Sequence, residues 1–278
     1  MNAGGTFLLS GVLGWPIGHS RSPRLHGHWL KRYGIEGAYL PFAVTPESLP
    51  AAVAGLQALG FRGANVTVPH KEAVLKLCDR LTASARAIGA VNTLVFDDRG
   101  LLGDNSDAFG FLENLRQAQL GWSPSGKNCL VLGAGGAARA VVWSLLDAGA
   151  AKVTLVNRSR QRAEALAQEF SGEALPWEQR VEALAGRDLL VNTTSLGMQG
   201  QPSLDLDLTH LPRGALVADL VYAPLRTDLL VRAAARGCAT VDGLGMLLHQ
   251  ARPGFAAWFG RKPVVDDALR SAVLAETS

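Results

Sequence analysis

The sequence predicts an α/β chain in two domains. Three observations predict it. Short apolar runs alternate with amphipathic stretches along most of the 278 residues, the pattern of strands and covering helices around a mostly parallel sheet. A glycine turn, Gly133-Ala134-Gly135-Gly136-Ala137-Ala138, directly follows the apolar run Cys129 to Leu132. A stretch of turn residues, Gly121-Trp122-Ser123-Pro124-Ser125-Gly126, precedes that run and reads as a linker.

Taken in order, the first strand is expected at Phe7 to Leu13, followed by a helix from Pro23 to Tyr33. Ser22 reads as that helix's N-cap, with Pro23 at the first helical position. Strands follow at Ala38 to Val44, Ala64 to Val68, Val91 to Asp97 and Leu101 to Gly103, the last two joined at Asp98-Arg99-Gly100 as a hairpin. Helices fit Pro46 to Leu59, His70 to Leu77, Thr82 to Ile88 and about Asp107 to Leu120. In the second half, strands are expected at Cys129 to Leu132, Val153 to Val156, Asp188 to Asn192, Ala215 to Leu220 and Ala239 to Val241. After Gly243 the chain reads as helical to near its end.

The glycine turn points to a ligand. Gly133, Gly135 and Ala138 form a G-x-G-x-x-A pattern between a strand and a helix. The first glycine permits the tight turn, and the second lets backbone amides approach a pyrophosphate. The small third residue lets the helix lie close to the strand. The helix N-terminus then offers free amides and the positive dipole end to an anion. This is the Rossmann-like dinucleotide pattern. An NAD site commonly has Asp or Glu at the end of the second strand, about 20 residues past the glycines. Here that position carries Asn157, Arg158, Ser159, Arg160 and Arg162. A carboxylate repels a 2′-phosphate, whereas guanidinium binds it with charge-assisted bonds, so NADP(H) is the expected cofactor.

Composition removes other classes. Hydrophobic residues make up 48% and charged residues 18%, and the formal net charge is only +3. No long Lys/Arg run marks a nucleic-acid surface. No uninterrupted apolar stretch of about 20 residues marks a membrane span. The start, MNAGGTFLLSGVLGW, lacks the basic n-region of a signal peptide and reads as a first strand. The three cysteines, Cys78, Cys129 and Cys238, are scattered and odd in number, which suits reduced thiols in the cytoplasm. The six histidines show no metal-ligand spacing, and no metal is expected.

Polar clusters sit at strand ends, where ligands bind in sheets of this kind. Ser20 and Ser22 follow the first strand. Thr67, Pro69 and Lys71 follow the third; if Pro69 starts a helix, Lys71 lies in its first turn, where the dipole disfavours an ammonium. Asn92 and Thr93 lie at another strand. Asp107 is placed at a helix start, as a cap or as a reacting carboxylate.

The patterns G-W-P-I-x-H-S-x-S-P, N-V-T-x-P-x-K, G-A-V-N-T-L, G-x-N-S-D-x-x-G, G-A-G-G-A-A-R-A, N-R-S, N-T-T-S-x-G-M, D-L-V-Y-x-P and D-G-L-G-M-L-x-x-Q occur in this order. Together they resemble the shikimate dehydrogenase family (shikimate:NADP oxidoreductases), over Val12 to Gly260. The resemblance implies an N-terminal α/β substrate domain, residues 1–105 and 246–278, and a Rossmann-like NADP-binding domain, residues 106–245. It implies reversible reduction of 3-dehydroshikimate to shikimate by NADPH, in the route to aromatic amino acids. Lys71 and Asp107 match the family's catalytic pair. Substrate contacts carry over to Ser20, Ser22, Thr67, Lys71, Asn92, Asp107, Tyr222 and Gln250. Cofactor contacts carry over to Gly133, Ala134, Gly135, Gly136, Ala137, Asn157, Arg158, Ser159, Arg162, Thr193, Leu220 and Gly243. Met198 and Met246 either line the nicotinamide pocket or belong to the core. The chain departs from the family at Gly27, where Asn is frequent, and at Ser106, where Thr is usual.

The implied chemistry is coherent. Hydride addition to a ketone builds alkoxide charge, which a protonated lysine stabilises and then neutralises. Asp107 favours that charged lysine. Other readings remain open: a relative preferring quinate or an aminated shikimate, with NAD, and a non-catalytic NADP-binding regulator on the same fold. Ser20, Ser22 and Arg158 argue for shikimate and NADP, and the presence of both Lys71 and Asp107 argues against the regulator. A monomer and a homodimer are both compatible with the sequence.

Overall fold

In the computed structural model, which describes residues 7–18 and 20–275, the chain divides into two compact units. Residues 1–106 and 248–278 form the first, and residues 107–247 the second. His19 of the first motif lies outside the described residues.

The first unit contains β1 (Leu8–Gly14), α1 (Ser22–Tyr33), β2 (Gly37–Ala43), α2 (Leu49–Ala58), β3 (Gly63–Val66), β4 (Arg80–Leu81), α3 (Ala83–Ile88), β5 (Thr93–Asp97) and β6 (Gly100–Asp104). Its sheet has the order β2-β1-β3-β5-β6-β4. It is mixed, as the hairpin expected at Asp98-Arg99-Gly100 requires. β1 runs parallel to β2 and β3, and β4 parallel to β6, but β5 is antiparallel to both β3 and β6. The β5–β6 pair is antiparallel because the two-residue turn Asp98-Arg99, with Asp97 paired to Gly100, joins them as a hairpin. One sheet face packs on an aliphatic core with Leu13, Val53, Val66 and Leu94. Elsewhere in the unit His26, Tyr39, Trp29, Phe255 and Trp258 form an aromatic cluster, in which His26 stacks on Tyr39 with ring centroids 3.9 Å apart.

The second unit begins with α4 (Asp107–Ala118). It continues through β7 (Asn128–Leu132), α5 (Gly136–Asp147), β8 (Lys152–Val156), α6 (Arg160–Phe170), β9 (Glu173–Leu175), β10 (Leu189–Asn192), β11 (Leu216–Asp219), α7 (Asp228–Ala235) and β12 (Ala239–Val241). The order β12-β11-β10-β7-β8-β9 is parallel throughout. Both faces are buried, and the strands read as near-continuous apolar runs for that reason. Cys129, Val131, Leu189 and Val191 point into one core, while Leu130, Leu132, Leu190 and Val217 point into the other. This is the two-residue alternation of a strand with no solvent face.

α8 (Gly243–Phe259) starts in the second unit and ends in the first, and α9 (Asp267–Leu274) follows after a break. The break corrects the expectation of continuous helix after Gly243. Gly260 caps α8 in the left-handed region at φ 68°, and Pro263 follows soon after, a pairing that stops helices.

Three further expectations need correction. The segment His70 to Leu77 is not an α-helix: residues 71–73 form turns and only Val74–Leu77 is helical, as a 3₁₀ turn. The carbonyl of Lys71 accepts the Val91 N–H at 2.8 Å, and His70 is buried with its Nε2 2.7 Å from the Val44 carbonyl, so these long-range bonds hold the backbone out of an α-helical ladder. Ser22 is the first residue of α1 rather than its N-cap, which is Arg21. The helix expected from Pro46 opens as a 3₁₀ turn, Pro46–Ser48, before α2.

Candidate functional site

In the first unit the candidate substrate residues lie at the ends of strands. Ser20 lies between β1 and α1 and Ser22 opens α1, and Ser20 Oγ accepts the Ser22 N–H at 3.4 Å. Thr67 follows β3 and donates its N–H to the Leu13 carbonyl at 2.9 Å. Gly14 is needed beside it, because a Cβ there would press on the Thr67 methyl at 2.5 Å. Lys71 is half-buried in the turn after Thr67. There is no α-helix at 70–77, so the helix dipole expected to disfavour its ammonium is absent. Its position is fixed instead by the bond from Val91, the residue before Asn92.

Asn92 is the hub of this unit. It is buried. Its Oδ1 accepts Ser106 N–H at 2.9 Å, Ser106 Oγ at 3.1 Å and Thr93 Oγ1 at 2.9 Å. Its Nδ2 donates to Gln250 Oε1 at 3.1 Å, so α8 supplies a substrate candidate to the same place. Behind it, Asn65 Nδ2 donates to the Asn92 carbonyl at 3.1 Å and to Thr93 Oγ1 at 3.2 Å, and Tyr39 Oη donates to Asn65 Oδ1 at 2.6 Å. Buried amides and hydroxyls with satisfied partners form a rigid polar floor. The Ser106 departure keeps the hydroxyl that this network uses.

In the second unit a cleft of about 200 Å³ opens at the carboxyl ends of β7, β8 and β10. Gly133, Ala134 and Gly135 form one wall, Asn157 and Arg158 another, and Thr193 a third. Gly133 has φ 113°, and a Cβ there would collide with Thr193 Oγ1. The first glycine is therefore required twice, by backbone conformation and by space. Gly135 is the N-cap of α5, extended and without a side-chain cap bond, which leaves the first amides of α5, at Gly136 and Ala137, free for an anion. Arg158 is exposed at the cleft, Ser159 is the N-cap of α6, and Arg162 stands exposed in its first turn.

The remaining candidates lie elsewhere in this unit and do not line the cleft. Leu220 and Tyr222 follow β11, and Gly243 and Met246 open α8. A Cβ on Gly243 would strike the Leu220 carbonyl, so the two are in close approach. Met246 packs on the core, while Met198 is 40% exposed. Asp107 is buried at the start of α4.

Sequence reasoning missed two features here. Asp219, at the end of β11, is buried and accepts from Asn192 Nδ2 at 2.9 Å, Val221 N–H at 3.0 Å and Thr227 Oγ1 at 2.7 Å. Burial raises its carboxyl above the usual range and these three donors hold it back. Asn192 Oδ1 in turn accepts Thr194 Oγ1 at 2.7 Å, so one network ties the loop holding Thr193 to the loop holding Leu220 and Tyr222. Both residues stood in recognised motifs, N-T-T-S and D-L-V-Y, but only topology joins them. The other missed feature is Trp177, which lines the cleft with Thr194, Ser195 and Leu196 and lies in no motif.

A parallel sheet with a glycine turn and a basic strand end defines a Rossmann-like dinucleotide-binding protein. The shikimate dehydrogenase substrate binding domain family matches residues 12–94, and the shikimate / quinate 5-dehydrogenase family matches residues 114–198. The chain belongs to the shikimate dehydrogenase family. It is 62% identical over 273 residues to the shikimate dehydrogenase (NADP(+)) of Rhodospirillum rubrum, covering 96% of each chain. It also resembles the crystal structure of the Thermus thermophilus shikimate 5-dehydrogenase in complex with NADP(H) and shikimate, at TM-score 0.86 and 40% identity over 96% of this chain and 98% of that one. The quinate dehydrogenase of Corynebacterium glutamicum, in complex with NAD, is similar at TM-score 0.89 and 31% identity, over 96% of this chain and 99% of that one.

Proposed function

We propose that this chain catalyses the reversible reduction of 3-dehydroshikimate to shikimate with NADPH, with Lys71 and Asp107 as its proton-transfer pair. The overall reaction is that of the family. The observation that carries the choice of cofactor is the cleft lining: Arg158 is there and no carboxylate is. An acid at that place would repel a 2′-phosphate, and a guanidinium attracts it. The residues present fit the dinucleotide, because Gly135 and Gly136 leave open the space a Cβ would fill and α5 presents uncapped amides.

The bound cofactor supplies the hydride. The protein's part is to hold the ketone and move a proton. Asn92 and Gln250, already bonded to each other, present amides to the substrate's hydroxyls, and Ser20, Ser22, Thr67 and Tyr222 add hydroxyls. Such a lining suits a small polyhydroxylated carboxylate. The Lys71 ammonium stabilises charge growing on the carbonyl oxygen and gives up a proton from Nζ. Asp107 favours the charged lysine before that transfer. Residues 1–106 with 248–278 then serve as the substrate domain and 107–247 as the NADP domain. The cysteines are free thiols, and burial raises Cys78 to about 11 and Cys129 to about 12. Free thiols are what a reducing compartment such as the cytoplasm maintains.

The test is NADPH consumption by the purified chain with 3-dehydroshikimate, run beside quinate with NAD. Asp107→Asn is the second arm. It keeps the shape and removes the charge, so the pH–rate profile is expected to shift and turnover to fall. Faster oxidation of quinate than of shikimate would reject the substrate assignment. A variant matching the parent in rate and profile would leave Asp107 as a helix start only.

A further inference from the structure

We propose that Trp177 is the platform on which the adenine base of the cofactor stacks. The proposal rests on the NADP reading above. Trp177 and Leu196 are the large apolar side chains of the cleft, whose other walls are small, polar or cationic. Trp177 opens the 3₁₀ turn Trp177–Arg180 just after β9. β9 is the outer neighbour of β8, and the end of β8 leads into Asn157 and Arg158. In a sheet of this type one dinucleotide half lies over the strands on each side of the glycine turn. The 2′-phosphate side chains follow β8, so the adenosine half belongs with β7, β8 and β9, and the reacting ring with β10, β11 and β12. The indole therefore stands at the base end of the site.

The indole is also held in advance. The Arg180 guanidinium carbon lies over its ring, 5.1 Å from the centroid. Arg180 is anchored in turn by its Nε to the Asp205 carbonyl at 3.1 Å and by Nη1 to the Trp177 carbonyl at 3.3 Å. Arg180 does not line the cleft, so it braces the indole without occupying the space a base would take. A braced, half-buried aromatic loses little freedom when a base stacks on it. Every purine has a π-face, so this contact does not discriminate between cofactors. Trp177 thus contributes affinity common to NADP and NAD, while Arg158 contributes the preference between them.

The experiment compares Trp177→Leu, which keeps apolar bulk against the core, with Trp177→Phe, which keeps a ring. Dissociation constants for 2′,5′-ADP, NADP+ and NAD+ are measured by calorimetry, with the urea unfolding midpoint as a control for folding. Trp177→Leu is expected to weaken all three ligands by a similar factor, about fivefold to a hundredfold. Trp177→Phe should recover most of the loss, which a merely space-filling role would not require. Parent-like 2′,5′-ADP binding by Trp177→Leu, or equal losses for Leu and Phe, would overturn the assignment of Trp177 alone. A parent chain that does not bind 2′,5′-ADP would overturn the NADP reading itself, and this proposal with it.

Discussion

The two units build their candidate sites from different materials. In the second unit the cleft is largely backbone: a glycine turn that a Cβ would block, the uncapped start of α5 and an arginine at a strand end. In the first unit the site is a side-chain network in which Tyr39, Asn65, Asn92, Ser106 and Gln250 are drawn from distant parts of the sequence. A backbone-built site serves a ligand whose charges are generic, such as phosphates. A side-chain network fixes the directions of many donors and acceptors, which a small molecule with several hydroxyls demands. Loss in the first unit should therefore appear in turnover and in substrate choice, and loss in the second in cofactor affinity.

The sharpest test of that division is Lys71→Ala. Removing a positioned proton donor is expected to lower kcat by about 10²-fold or more, while the dissociation constant for NADPH stays at the parent value. Lys71 is set by the backbone bond to Val91 and not by a helix, so the variant should fold as the parent does. Near-normal turnover, or a matched loss of NADPH affinity, would break the comparison.

Arg158→Ala probes the other side. A partly exposed guanidinium–phosphate bond contributes about 1.5–3 kcal/mol. The expected result is a KM for NADPH raised by roughly tenfold to a hundredfold, with the KM for NADH almost unchanged. Both constants are measured at one salt concentration, since screening alters the phosphate contribution. Equal losses for the two cofactors would make Arg158 a support for the fold or the ribose, and leave the preference to Ser159 and Arg162.

The same contrast decides what could be read from the chain. Gly133 and Gly135 announce themselves, because a site made of backbone needs glycine at fixed spacing beside a strand. The strands of the second unit were legible too, since burial on both faces makes them continuous apolar runs. The first unit was harder. β3 and β5 are antiparallel neighbours through a pairing of Asn65 with Thr93, and strand order is a property of topology rather than of either segment. Pro69 resembles a helix start, yet the Lys71 carbonyl is taken by Val91, far along the chain. β4 and β9 are two and three residues long, too short for any periodicity. Family motifs supplied Asn92 and Gln250 as separate candidates, and only the fold shows them bonded to each other. Asp219 and Asn192 joined no expectation for the same reason, and Trp177 left no trace in any motif.

The smallest expected effect concerns the core of the first unit and separates stability from catalysis. His26 is fully buried against Tyr39, Trp29, Phe255 and Trp258, and neither ring nitrogen has a hydrogen-bond partner among the described residues. Burial drives its pKa from the ordinary 6.5 down to about 3, with the neighbouring Asn65 side chain opposing only in part. The unfolded chain therefore binds the proton more readily between these two values. Stability tied to the neutral imidazole is fully present above about 6.5 and is lost as pH falls toward about 3. Lowering the pH from 7.5 to 5.5 is expected to remove on the order of 1 kcal/mol through this residue. Urea unfolding of the parent and of His26→Phe at the two pH values measures it, because phenylalanine keeps a stacked ring and cannot titrate. The pH dependence of the variant should be shallower by that amount, with its NADPH affinity unaltered. Identical slopes in the two proteins would mean that the imidazole reaches water or a partner in the folded state, and that the polar floor beneath Asn92 extends through Asn65 into the aromatic cluster.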